Sequence, residues 1–110
     1  MANHPVLIAG EWRGAQSRRS FSSENPALGE KLPGEYPISE WADCDAALAA
    51  ATAAAAVLRG SPPDTIAAFL EAYAGRIEAR KAELVEMAHA ETGLPKAPRL
   101  ADVELPRTTG

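Results

Sequence analysis

The chain has 110 residues and a formal net charge of −4 at pH 7. This length suits one compact core and argues against two independent ones. Its lysine and arginine residues are scattered along the chain, which argues against the basic surface that nucleic acid binding needs.

The sequence gives no sign of export or membrane insertion. The apolar run at residues 6–9 is too short for a secretory signal, and the alanine tract at residues 46–57 is interpreted as too short and too weakly apolar to cross a bilayer. Cys44 is the only cysteine, so neither a disulfide framework nor a paired-cysteine metal motif is possible. We therefore expect a cytoplasmic protein without a membrane partner.

The first elements in the chain are predicted to be short strands. Residues 6–9 and 12–13 flank a predicted two-residue turn, Gly10-Glu11, in which glycine supplies the positive φ. A tight hairpin is expected here.

Further strands and a turn are predicted before residue 39. Residues 21–24 favour a third strand, residues 25–30 concentrate turn formers, and residues 31–38 favour another extended stretch. Residues 1–38 are therefore expected to consist of strands and loops.

From Ser39 the apolar period becomes that of a helix. The side chains on its predicted apolar side are Trp41, Cys44, Leu48, Ala51, Ala55 and Leu58. Gly60 and the two prolines that follow Ser61 end this helix. Because Cys44 lies on the apolar side, we interpret it as a buried structural thiol and not as a nucleophile.

A second, long amphipathic helix is predicted next. Ser61 suits its N-cap, Pro62 its first position, and Asp64 a shortened capping box. Gly93 suits the left-handed residue just past the helix end, near Thr92. The predicted apolar face contains Ile66, Phe69, Leu70, Tyr73, Ile77, Leu84 and Met87.

A third helix begins in residues 99–105 and is expected to be interrupted by Pro106. The predicted fold class is thus α+β: a hairpin and extended strands, then two amphipathic helices and the start of a third. Residues 39–110 form the helical part of one incomplete unit that spans residues 1–110.

The residues show no catalytic or cofactor-binding pattern of their own. His4 and His89 lack partners at metal-ligand spacing, and the glycines form no phosphate-binding motif. Glu83 and Glu86 lie among basic residues, as on a solvated helix face. Composition and spacing therefore indicate only a soluble α+β segment.

Several stretches of the sequence are informative when they are taken in order. They are residues 7–12, 25–30, 43–47, 61–63, Leu70 and residues 91–95. Together they resemble the beginning of NAD(P)-dependent aldehyde dehydrogenases. Many members of that family carry tryptophan near Leu58, arginine near Thr65 and lysine at Leu94, so this chain departs from the pattern at three places.

Residues 91–95, 99–100 and 104–110 also resemble one branch of the family, the α-ketoglutaric semialdehyde (2,5-dioxopentanoate) dehydrogenases. The family resemblance implies a Rossmann-like α/β cofactor domain, to which this segment belongs, a catalytic domain and an oligomerisation arm. It also implies a homo-oligomer, with the remainder of the subunit as the partner of this segment.

In the family, a cysteine thiolate attacks the aldehyde, hydride passes to NAD or NADP, and a glutamate activates the water that hydrolyses the thioester. The resemblance places both residues after Gly110, together with the nucleotide site. It therefore implies an oxidoreductase of which this segment alone is inactive and carries no catalytic or cofactor-binding residue.

Two alternatives remain open from the sequence. The resemblance makes Asp102 a candidate ligand of a structural monovalent cation, whereas a solvated surface aspartate is the ordinary alternative. The whole chain is either part of such an enzyme or a small helical module that binds a protein partner through its alanine-lined face.

Overall fold

The computed structural model of the protein describes residues 3–110. The fold is α+β, with short strands between Val6 and Ile38 and helices from Trp41 onward. The chain divides into two compact units. One contains the chain up to Ser23 together with Pro33–Ser61, and the other contains Glu24–Leu32 and Pro62–Gly110.

The first unit begins with an antiparallel hairpin of β1 (Val6–Ile8) and β2 (Glu11–Arg13). Ala9 and Gly10 form its turn, with φ of 54° and 81°. Positive φ at both central residues is what a type I′ turn requires. The hairpin prediction is confirmed, but the turn lies one residue earlier than predicted, because Glu11 already pairs with Ile8.

In the same unit, β3 (Arg19–Phe21) pairs antiparallel with β6 (Tyr36–Ile38). The predicted third strand at residues 21–24 therefore has the wrong bounds. Its ladder ends at Phe21, whose partner is Tyr36.

The second unit begins with β4 (Glu24–Asn25) and β5 (Glu30–Lys31), which pair around a tight turn. The Asn25 side-chain oxygen accepts hydrogen bonds from the backbone N–H groups of Ala27, at 3.0 Å, and Leu28, at 3.3 Å. Gly29 follows with φ of 69°. This Asx turn confirms the turn predicted at residues 25–30.

Helix α1 (Trp41–Arg59) completes the first unit and contacts β1. Its covered positions are Asp43, Ala46 and Ala50, whose spacing places them on one side of the helix. Cys44 is exposed, so the prediction that it is buried is wrong. Small side chains lie on the covered side, and the larger apolar ones predicted to be buried lie elsewhere on the helix.

Helix α1 is also longer than the alanine tract considered in the sequence. It has 19 residues and a mean hydropathy of 1.3, so by length and composition alone it could cross a membrane. The prediction that the alanine tract is too short and too weakly apolar to cross a bilayer is therefore wrong. Core helices of water-soluble proteins reach the same values, so this property does not define a membrane protein.

The single long helix predicted for the second unit is two helices, α2 (Pro63–Ala79) and α3 (Lys81–Thr92). Arg80 separates them with φ of −107° and ψ of 17°. Ile77 of α2 and Val85 of α3 belong to the same apolar cluster. Neither glycine nor proline stands at the break, since residue 80 is arginine.

The prediction that Ser61 is the N-cap of α2 is also wrong. The Ser61 hydroxyl donates to the backbone oxygen of Val57, 3.0 Å away, and does not cap the helix. Pro63, not Pro62, is the first helical residue. Proline is favourable there because the first N–H groups of a helix have no partner within it.

Helix α3 ends as predicted. Gly93 has φ of 73°, and its N–H donates to the backbone oxygen of His89 at 2.9 Å. Leu94, the next residue, packs against the apolar cluster of this unit. This is the left-handed termination with its hydrophobic contact.

The end of the chain is more continuous than predicted. The segment Lys96–Glu104 has one extended residue near its start, Ala97, with φ of −134° and ψ of 140°. Wide π-helical turns follow this residue and run into α4 (Leu105–Thr109). Pro106 lies in the first turn of α4 and does not interrupt it, since a proline there removes no required hydrogen bond. Val85, Leu100 and Leu105 are buried together and form the core of this unit.

Candidate functional site

The second unit has an apolar groove bordered by α2, α3, the π-helical segment and α4. We call it the α2–α4 groove. Its floor contains Val85, Leu100 and Leu105, the buried residues of the unit. Its remaining lining residues are Tyr73, Ile77, Leu84, Ala88, Glu104 and Thr108. The groove therefore suits an apolar side chain, and Glu104 contributes the one carboxylate of its lining.

The most buried polar group among the described residues is the carboxylate of Asp43, in the first turn of α1. It accepts the Gln16 backbone N–H at 2.7 Å and lies 3.5 Å from the Arg13 guanidinium. The Gln16 carbonyl in turn accepts the Glu40 N–H at 2.7 Å. Both backbone groups of Gln16 are thus bonded to the start of α1.

In the sequence, Asp43 belongs to one of the stretches that match the family, residues 43–47. Nothing in the local sequence separates it from exposed Asp45, two residues later. The partners of Asp43 lie about thirty residues earlier in the chain. The structure gives it an anchoring role in the first unit.

Cys44 lies beside this anchor but has no catalytic environment. Its side chain is exposed on α1. Asp43, the neighbouring carboxylate, is already engaged by Gln16 and Arg13. A nucleophilic thiol needs an adjacent base, which this arrangement does not provide.

Ion pairs occupy the surface of the second unit. The Arg80 Nε donates to Glu83 at 3.0 Å. This hydrogen bond, and then the charge of Arg80, lower the pKa of Glu83. The same hydrogen bond, and then the charge of Glu83, raise the pKa of Arg80. Lys96 pairs with Glu86 at 2.7 Å, ten residues away. Glu83 and Glu86 therefore form the predicted charged face.

The two histidines are far apart in the sequence and have different local roles. The ring of His4 stacks on Tyr36, with centroids 4.4 Å apart. The His89 Nδ1 lies 2.7 Å from the backbone oxygen of Leu94, so His89 supports the end of α3.

Asp102 lies exposed on the π-helical segment. Within residues 3–110, no group of three or more histidine, cysteine, aspartate or glutamate side chains is placed to hold a metal ion. Asp102 thus has no carboxylate or imidazole cluster around it in the described part of the chain. The monovalent-cation assignment stays a prediction.

The first turns of α1, α2 and α3 do not suit a dinucleotide, whereas the first turns of Lys96–Glu104 and of α4 contain no carboxylate. A pyrophosphate is favoured by a helix N-terminus free of competing negative charge. Here the first turns contain Asp43 in α1, Asp64 in α2 and Glu83 in α3. We therefore assign no step of cofactor chemistry to these residues.

Comparison with known proteins identifies the family. The profile of the "Aldehyde dehydrogenase family" matches residues 12–109. The chain therefore belongs to the aldehyde dehydrogenase family. The resemblance noted in the sequence is confirmed.

Two curated relatives have similar identities. Alpha-ketoglutaric semialdehyde dehydrogenase 2 of Azospirillum brasilense is 36% identical over 92 residues, which are 83% of this chain and 18% of the relative. Phenylacetaldehyde dehydrogenase of Pseudomonas fluorescens is 35% identical over 86 residues, 76% of this chain and 17% of the relative. The chain thus spans less than a fifth of the length of either one.

A solved structure agrees with these matches. The NAD-dependent benzaldehyde dehydrogenase from Corynebacterium glutamicum has a TM-score of 0.81 and 26% sequence identity, over 99% of this chain and 24% of the other. The α+β arrangement described above is therefore that of a segment of an aldehyde dehydrogenase.

Proposed function

We propose that this chain is the N-terminal part of an NAD(P)-dependent aldehyde dehydrogenase that oxidises an aldehyde to a carboxylate through a cysteine thioester. The observation that carries the proposal is the family match over residues 12–109 within a chain that covers 18% of a relative. In this proposal, the segment contributes to a Rossmann-like cofactor domain and carries no catalytic residue.

The exposed apolar side chains support a role inside a larger subunit. Phe69, Leu70 and Tyr73 of α2 are each about 60% exposed. Covering one such side chain stabilises a fold by about 1.5–3 kcal/mol at full burial. A surface with many of them is typical of an interface. We propose the remainder of the subunit as the partner that covers it.

For the substrate, we propose α-ketoglutaric semialdehyde. The support is the motif in residues 91–95, 99–100 and 104–110, together with the relative named for that activity. The phenylacetaldehyde relative is only one percentage point less identical, so the substrate has to be tested against its aldehyde.

We further propose NAD or NADP as the cofactor, a homo-oligomeric assembly and a cytoplasmic location, without nucleic acid or membrane partners. NAD dependence is supported by the name of the structural relative. The absence of a nucleic acid partner is supported by the net charge of −4.

The test begins with the complete reading frame that contains this sequence. The encoded protein is purified and supplied with α-ketoglutaric semialdehyde, phenylacetaldehyde or benzaldehyde, each with NAD+ and with NADP+. We expect reduction of the nicotinamide, with the highest kcat/KM for the semialdehyde. The 110-residue chain alone should reduce neither cofactor.

The outcomes separate the parts of the proposal. A higher kcat/KM for another aldehyde would overturn the proposed substrate. The proposed reaction, oxidation of an aldehyde, would still stand. A reading frame that closes after Gly110, with a chain that binds a protein partner, favours the stand-alone interaction module. Nicotinamide reduction by the 110-residue chain would contradict the absence of catalytic residues.

A further inference from the structure

We draw no further inference here: the strongest candidate, the apolar α2–α4 groove with Val85, Leu100 and Leu105 in its floor, carries none because nothing in the described part of the chain shows what covers it.

Discussion

At the scale of single residues, Asp43 shows how a carboxylate becomes structural through its partners. Replacing it with alanine leaves the Gln16 N–H and the Arg13 guanidinium without their acceptor. Arg13 and Gln16 are both exposed, so water can replace the lost acceptor, and the loss is the net contribution of a hydrogen bond, about 0.5–1.5 kcal/mol. We expect Asp43→Ala to lower the free energy of unfolding by that amount, measured by urea denaturation followed by circular dichroism.

Asp45→Ala is the matched control, because Asp45 is exposed on the same turn of α1. An exposed substitution of this kind changes stability by about 0.5 kcal/mol or less. Equal effects of the two substitutions would contradict the anchoring role of Asp43.

Cys44 gives a second prediction, which follows from its exposure on α1. In the native 110-residue chain, a thiol reagent should modify it at a rate within about tenfold of the rate in urea-unfolded chain, because the fold does not cover it. In the complete enzyme, Cys44→Ala should leave kcat nearly unchanged. Loss of turnover in a folded Cys44→Ala enzyme would assign the chemistry to Cys44 and refute our proposal.

The pair of Arg80 and Glu83 gives a prediction about pH. Because the folded-state pKa of Glu83 is lowered by Arg80, the pair contributes stability above the ordinary glutamate pKa. That contribution disappears as the pH falls through the lowered value. Carboxyl NMR titration should show Glu83 below the ordinary glutamate range, and Arg80→Gln should raise its pKa.

Lys81→Gln is the control for this titration, since it removes the neighbouring charge and keeps the Arg80 hydrogen bond to Glu83. It should move the pKa of Glu83 less than Arg80→Gln does. If Lys81→Gln moved the pKa of Glu83 more than Arg80→Gln does, the nearby positive charge as such, and not the hydrogen bond from Arg80, would be what lowers that pKa.

At the scale of secondary structure elements, local signals located most of the strands and helices. Two short strand-forming stretches around a glycine turn predicted the hairpin, and the glycine at position 93 predicted the end of α3. The break at Arg80 was not predictable, because no proline or glycine marks it. Ile77, before the break, packs against a cluster that contains Val85, after the break, and Leu100, a contact between distant parts of the sequence.

Contacts between distant parts of the sequence also limited what could be predicted of the candidate site. Motif order was enough to identify the family, since it needs only residue types and spacing. The anchor at Asp43 and the exposure of Cys44 both depend on which side of α1 meets the hairpin. Periodicity favoured the side with larger apolar residues, whereas the helix packs through Asp43 and alanine.

The end of α3 allows a test of backbone conformation with little change in packing. At Gly93, an added Cβ would lie 3.7 Å from Pro26, an ordinary contact, but φ is 73°. Placing a non-glycine residue in the left-handed region costs about 1–2 kcal/mol. Gly93→Ala should therefore lower the free energy of unfolding by about that much, measured by urea denaturation.

Gly75→Ala is the matched control, because Gly75 lies in α2 and a Cβ there meets nothing within 4 Å. Alanine is favoured over glycine in a helix by about 1 kcal/mol. The two glycine-to-alanine changes should thus have opposite signs. Stabilisation by Gly93→Ala would contradict the left-handed termination.

At the scale of the whole molecule, the described residues bury few large apolar side chains. Ile8, Val85, Leu100 and Leu105 are the buried ones, whereas Trp41 and Val57 of α1 are each 70% exposed. When no partner covers it, such an exposed apolar surface favours self-association of the chain or local disorder. The isolated chain should therefore self-associate or exchange many amide hydrogens quickly.

Sedimentation velocity over a wide concentration range, with hydrogen exchange on the same samples, tests this last prediction. The double substitution Val57→Lys and Leu58→Lys in α1 should reduce association, because both side chains are exposed and neither contributes to the buried core. Ala53→Lys, on the same helix, adds one charge and removes no large apolar side chain, so it should reduce association less. A chain that stays monomeric at every concentration, with protected amides throughout, would show that the exposed surface needs no partner.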